Sequence, residues 1–413
     1  MPGTDVPLET DRVFIPLALE AGTGSGKTYA ADDVVTAGNR LIVVGDPGSG
    51  KSTLIKVLLR QACRSLNDHP TKDRLPVLIQ LKDLRPESLS ISDDPAGGLL
   101  ERLREEVAGV HGYEMDRLFG SYLNTEGILV LLDGLDEVST SNYRPVADAL
   151  RDFSARLERR SPNSAIVLTM RTQFYQQVRD DLREALPVTL FIQSFSPSDI
   201  YDFLQKWPSQ DDMPALHTGR IYAQLTDSPG LQDLCTNPLI LAMYVANYQN
   251  THAANLPDTR TNFYRKVMDE LIVARRSRQL MVQARESLLG QREAILGRLA
   301  FDNLMDMAQP ANSLSWDKAI QVVSEVTRST EPDLAERILL DIIRDTGIIS
   351  KERERETLRF NHLTFCEYLA ARECTEGRED GWPDLLKQHK ALQDAGFAQS
   401  LPRLSEVIPF TAA

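Results

Sequence analysis

The stretch "GDPGSGKST", Gly45–Thr53, sets three glycines, a lysine and three hydroxyl residues in the spacing G-x-x-x-x-G-K-S. That spacing suits phosphate binding. Gly45, Gly48 and Gly50 let the backbone approach a phosphate with no Cβ in the way. Asp46, Pro47 and Ser49 complete the loop, and Thr53 follows it. Lys51 would reach the terminal phosphates as a point charge, and the Ser52 hydroxyl would ligate Mg²⁺. Mg²⁺ also needs a carboxylate at the end of a neighbouring strand. "ILVLLDGLDEV", Ile128–Val138, offers Asp133 after a run of apolar residues. Asp136 and Glu137 follow at once, and either could orient an attacking water. Arg171 ends the run "AIVLTM", and a guanidinium at a strand's carboxyl end can contact a γ-phosphate.

The same loop pattern occurs earlier if Ala is allowed at its first position, in Ala21–Thr28, "AGTGSGKT". A phosphate loop needs a buried strand before it and a helix after it, so that backbone N–H groups and the helix N-terminus point at the phosphates. The later copy has both. "LIVV" (Leu41–Val44) is a short apolar run, and Leu54, Ile55, Leu58, Ala62 and Leu66 then share one helical stripe. The earlier copy has neither. Lys27 is therefore assigned to a Gly/Ser/Thr linker.

These elements imply an α/β domain. Short apolar strands alternate with helical stretches from residue 39 to about 195: "LIVV", "PVLIQL", "GILVLLD", "SAIVLTM" and "VTLFIQ". Near-continuous apolar strands of this kind indicate a parallel sheet covered on both faces. Residues 1–38 are expected as a linker or N-terminal strap. "SPSD" (Ser196–Asp199) is a strong helix start, and the chain beyond it is expected to be helical to about residue 345. Helices at roughly 290–308, 315–328 and 331–345, then strands around Gly347–Ser350 and Leu358–His362, suggest a winged helix. Domain boundaries follow at 196–285 for a small helical domain and 286–375 for the winged helix. Segment 376–413, ending on "EVIPFTAA", is expected to open a further C-terminal element.

Composition fits a soluble protein of 413 residues with room for two or three domains. No apolar run approaches a membrane span, and no secretory leader is visible. Cys63, Cys235, Cys366 and Cys374 form no metal spacing. Three lie in helical apolar contexts, which points to buried thiols in the cytoplasm. The formal net charge of −13 opposes non-specific binding to nucleic acid or anionic membrane.

Taken together these motifs resemble the NACHT family of signal-transducing P-loop NTPases, a branch of the STAND class. The likeness covers about residues 39–375. It runs in order through "GDPGSGKST", "LPVLIQLKDL", "LVLLDGLDEV", the strand-ending Arg171, "NPLIL" and "FNHLTFCEYLAA". Departures are Met170 where a small hydroxyl residue is common, Thr172 where proline is, and Cys366 where glutamine is. The resemblance implies an α/β P-loop NTPase sheet of order 5-1-4-3-2, a helical domain and a winged helix. It implies ATP/ADP with Mg²⁺ as cofactors. By the same likeness Pro238 would pack on the adenine and His362 would touch the β-phosphate, holding a closed ADP form. Arg171 would sense the γ-phosphate, and ATP would allow homo-oligomerisation. Effector and sensor functions would come from further domains or partner proteins.

Read without the resemblance, Pro238 is helix punctuation and His362 a structural histidine. Three functions compete: a slow ATPase acting as a signalling switch, in bacterial defence or stress signalling by family likeness; an ordinary catalytic P-loop ATPase; and a winged-helix transcriptional regulator. The helix before the hairpin argues against DNA readout. It carries Glu331, Asp333, Glu336, Asp341 and Asp345 against Arg337 and Arg344, where a major-groove reader should be basic. The compact basic run "RRSR", Arg275–Arg278, reads as a solvated helical face.

Overall fold

The computed structural model describes residues 13–411, apart from 23–25, 85–94, 109–111, 139, 209–213, 252–258, 274–281, 307–311, 354–356, 378, 395–403 and 405–406. Arg275–Arg278 lie outside the described residues. The chain divides into two compact units: Ile15–Ser194, and Phe195–Ala413 together with Met1–Phe14.

The first unit is built on one sheet. Its strands are β1 (Ala18–Ala21), β2 (Thr28–Ala30), β3 (Arg40–Gly45), β4 (Leu75–Gln80), β5 (Ile128–Asp133), β6 (Ala165–Arg171) and β7 (Val188–Ile192), and they lie in the order β2-β1-β7-β3-β6-β5-β4. The five strands β7-β3-β6-β5-β4 are mutually parallel. Helix α1 (Lys51–Asp68) leaves the loop after β3 and buries Leu54, Ile55, Val57 and Leu58. Further helices are α2 (Pro95–Ala108), α3 (Gly112–Asn124), α4 (Thr140–Arg160) and α5 (Thr172–Leu182). Ile42, Val44, Val130, Leu132, Ile166 and Leu168 from the strands share one core with Leu99, Phe119, Leu150 and Phe153 from the helices. Central strands buried on both faces account for the unbroken apolar runs in the sequence.

Residues 15–38, expected as a linker or N-terminal strap, carry two strands and so are no free linker. β1 pairs antiparallel with β7, and β2 with β1, so this segment widens the sheet. Leu17, Leu19, Ala31 and Val34 are buried there. Alternating burial of Leu17 and Leu19 is the period-two pattern of a strand with one covered face.

The second unit begins with α6 (Pro197–Lys206). Its N-terminus carries the expected capping box: Ser196 Oγ accepts from Asp199 N, and Asp199 Oδ2 accepts from Ser196 N at 2.8 Å. Then come α7 (Pro214–Thr226), α8 (Pro229–Cys235), α9 (Pro238–Thr251), α10 (Arg260–Val273), α11 (Val282–Met305), the short strand β8 (Leu314–Ser315), α12 (Trp316–Thr327) and α13 (Pro332–Thr346). A hairpin of β9 (Ile349–Arg353) and β10 (Thr357–Phe360) follows, and the three short strands form a sheet of order β8-β10-β9. Gly347 caps α13 in the left-handed region at φ 63°, so it ends the helix where a strand start was expected.

Asp345, counted among the acidic residues of this helix, is buried. Its carboxylate accepts from Arg292 Nη2 at 2.6 Å, with both side chains buried. Helix α14 (Leu363–Arg372) buries every residue from Thr364 to Ala371. A helix buried on all faces, with Thr364 and Glu367 included, belongs in a core. The segment expected to open a further C-terminal element begins with α15 (Gly381–Asp394). Val407–Thr411 form a short helix, α16, whose Phe410 ring packs edge-on against Tyr264 and Tyr368. Arg260 stacks over the same ring. Cys235, Cys366 and Cys374 are buried and Cys63 is exposed. Among the described residues no helix is long and apolar enough to cross a membrane.

Candidate functional site

The Gly45–Ser52 loop connects β3 to α1. Gly48 and Gly50 take φ of 78° and 97°, which side-chain-bearing residues rarely adopt. A Cβ on Gly45 would lie 2.5 Å from Ser49 Oγ. The glycines thus let the loop fold tightly ahead of the α1 N-terminus, the arrangement that anion binding by backbone N–H groups requires. The Lys51 ammonium donates to Gly45 O at 2.7 Å and Asp46 O at 3.0 Å, which holds it over the loop. Burial pushes its pKa down to about 8, opposed by Asp136, Asp133 and Asp46 and reinforced by Arg171. A partly desolvated ammonium gains strongly from an arriving phosphate charge. Among the described residues, buried Ser49 Oγ has no hydrogen-bond partner. From the segment expected to be a linker, Leu17 reaches this loop: a Cβ on Gly50 would sit 3.3 Å from Leu17 Cδ1.

The acidic cluster lies at the same sheet edge because the register puts it there. Gly45 is opposite Arg171 across β3 and β6, and Leu132 is opposite Leu168 across β5 and β6. Asp133 is next on β5. Its Oδ1 accepts from Thr169 Oγ1 at 2.6 Å, and Thr169 Oγ1 accepts from Gly134 N at 2.9 Å. Nothing in the sequence motifs flagged Thr169; the available signal was a lone polar residue inside the run "AIVLTM".

Asp136 and Glu137, equivalent in the sequence, are separated by the one-turn helix Leu135–Glu137. Asp136 binds Arg171 twice: Arg171 N donates to Oδ1 at 3.2 Å and Arg171 Nε to Oδ2 at 3.1 Å. Both side chains are nearly buried, at 11% and 6% exposure. Glu137 is raised to about 7, first by burial and then by Asp136, while the buried Lys82 opposes the shift. Ser52 is exposed at the start of α1. Ser52 and Asp133 are two oxygen donors, a number that suits Mg²⁺ shared with phosphate oxygens and water. Among the described residues there is no cluster of three His, Cys, Asp or Glu side chains that would hold a metal alone.

A family model described as the NACHT domain matches residues 39–211. Residues 39–211 are a NACHT domain. The chain therefore carries a nucleotide-binding P-loop NTPase module. No curated protein matches the chain. Among solved structures, it is similar to the Aeropyrum pernix ORC1 protein in complex with DNA, at 13% identity over 83% of this chain and 90% of that one, TM-score 0.34. It is also similar to PCH-2 of C. elegans, at 17% identity over 58% and 64%, TM-score 0.32. A STAND protein with a tetratricopeptide repeat sensor from Pyrococcus horikoshii matches at 12% identity over 92% and 47%, TM-score 0.38. The chain thus spans under two thirds of the last two.

The remaining predicted residues lie beyond the NACHT domain, in the second unit. Pro238 opens α9, and Asn237 Oδ1 caps that helix by accepting from Leu239 N at 3.0 Å. His362 is the N-cap residue of α14, half-buried, with its ring edge-on to Phe365 at 5.1 Å. Its neighbourhood is rigidly tied. Asn361 N donates to Ile348 O, and Asn312 brackets the Phe360 backbone with hydrogen bonds of 2.8 and 2.9 Å.

Proposed function

We propose that the chain is an ATP/ADP-binding signalling switch with slow hydrolysis, in which nucleotide state controls domain opening and homo-oligomerisation. The observation that carries this reading is the convergence of Lys51, Asp133, Glu137 and an Arg171 held by Asp136 at one sheet edge. Gly45 to Thr53 would cradle the phosphates, with Lys51 on the terminal ones. Bound Mg²⁺ would neutralise charge developing on the transferred phosphoryl group, held by Ser52 and Asp133. Glu137 would orient the attacking water, because Asp136 is committed to Arg171. Arg171 would sense the γ-phosphate.

The helices α11 to α13 and the sheet β8-β10-β9 support a winged-helix reading of residues 286–375, after a small helical domain at 196–285. His362 would hold the ADP form and Pro238 would pack on adenine, as in the NACHT resemblance. Effector and sensor functions would belong to further domains or partner proteins, in bacterial cytoplasmic defence or stress signalling. His362→Ala should speed nucleotide release several-fold, measured by chase of a fluorescent ADP. Unchanged release from a folded variant would remove His362 from the switch. A second reading, an ordinary catalytic ATPase, is favoured by the same Glu137, since a base near pH 7 suits turnover. Rapid steady-state hydrolysis would select it.

A further inference from the structure

We propose that Thr169 is a positioning residue for the Asp133 carboxylate and, through it, for the cation shared by Ser52 and Asp133. The inference rests on the Mg²⁺–nucleotide reading above. Thr169 is fully buried in β6, a strand otherwise apolar from Ala165 to Met170. A hydroxyl there costs free energy unless it is bonded. It both donates and accepts at one corner of the sheet. Its proton goes to Asp133 Oδ1 at 2.6 Å, within the short range of charge-assisted O–H···O⁻ bonds. Its lone pair takes the N–H of Gly134 at 2.9 Å.

The second contact comes from the first peptide beyond β5, just before the chain turns through the left-handed region at Gly134, φ 78°. Asp133 is thus gripped at its side chain and at the peptide that follows. One oxygen is occupied, and Oδ2 is left for a cation. Thr169 also faces Val43 of the loop-bearing strand β3 in register. A single hydroxyl therefore keys the carboxylate strand to the strand beside the phosphate loop. Outer contacts of this kind typically change metal affinity by about 10–100-fold when removed.

The test is a Mg²⁺ titration of fluorescent ATP-analogue binding to the full chain. Thr169→Val keeps the shape and loses the hydroxyl. Its half-saturating Mg²⁺ should rise ~10–100-fold, while Mg²⁺-free nucleotide binding stays native. Asp133→Asn sets the limit of that loss. Thr169→Ser keeps the hydroxyl and loses the methyl. It should restore the native Mg²⁺ dependence even though it unfolds at lower temperature. If Thr169→Val does not fold, Thr169→Ala against Thr169→Ser makes the same comparison at equal loss of the methyl. A packing role alone predicts that Ser and Ala behave alike, and that result overturns the proposal. So does a native Mg²⁺ response in Thr169→Val. A native chain that binds no nucleotide brings down the functional reading itself, which separates the two failures.

Discussion

Ala21–Thr28 and Gly45–Ser52 carry nearly the same glycine pattern and have opposite surroundings. The first spans the connection between two short antiparallel strands, β1 and β2, and Ala21 N bonds Lys27 O across it at 2.9 Å. Lys27 lies over the Tyr29 ring. The second follows a buried parallel strand and opens an 18-residue helix. Only the second points a helix N-terminus and a desolvated lysine toward the carboxyl edge of the sheet, where Asp133 and Arg171 also end. Glycine spacing permits a phosphate loop, and the strand and helix around it decide whether it is one. The two copies are also physically linked. Leu17, just before the first, packs on Gly50 of the second.

That contrast can be broken most severely at Lys51. Lys51→Ala should weaken ATP and ADP binding by over ~100-fold, since two charge-assisted contacts are worth about 3 kcal/mol or more. Isothermal titration calorimetry reads this directly. Leu17→Ala should come next. Truncating a buried leucine costs about 2–5 kcal/mol of stability, and loss of the Gly50 contact should lower nucleotide affinity as well. If affinity is native in the folded variant, the loop does not depend on β1.

The pH dependence should be smaller and two-sided. Glu137 must lose its proton to orient water, so hydrolysis should rise as pH passes through about 7. Glu137→Gln should remove that limb. Phosphate binding raises the Lys51 pKa from its free value of about 8. The linkage sign makes affinity constant below that value and falling above it, by up to about tenfold per pH unit. Lys27→Ala should have the smallest effect, within about 0.5 kcal/mol on affinity. A large loss there would erase the distinction between the copies.

Much of the α/β unit was legible because central parallel strands are apolar throughout. "LIVV", "GILVLLD" and "SAIVLTM" fall within a residue or two of β3, β5 and β6. Edge strands were not legible. β1 and β2 are four and three residues long and lie among Gly, Thr and Pro, so Leu17 and Leu19 looked like an isolated apolar island. At the site, residue types announced Lys51, Ser52 and Asp133. That Asp136 rather than Glu137 pairs with Arg171 was hidden, since it depends on how one helical turn rotates their side chains. Thr169 was hidden too, because its bonds run between strands far apart in sequence. The packing partners of the C-terminal segment were hidden for a related reason. Apolar "VIPF" signals burial, and only the fold shows that Phe410 meets Tyr264 and Tyr368.

The central claim is that the Gly45–Ser52 loop holds a nucleotide as the resting state of a switch. The most direct measurement is to purify the chain without added nucleotide, denature it and identify what is released by chromatography. The account predicts close to one ADP per chain, and none from Lys51→Ala. Nucleotide-free protein that turns over ATP rapidly would contradict the switch.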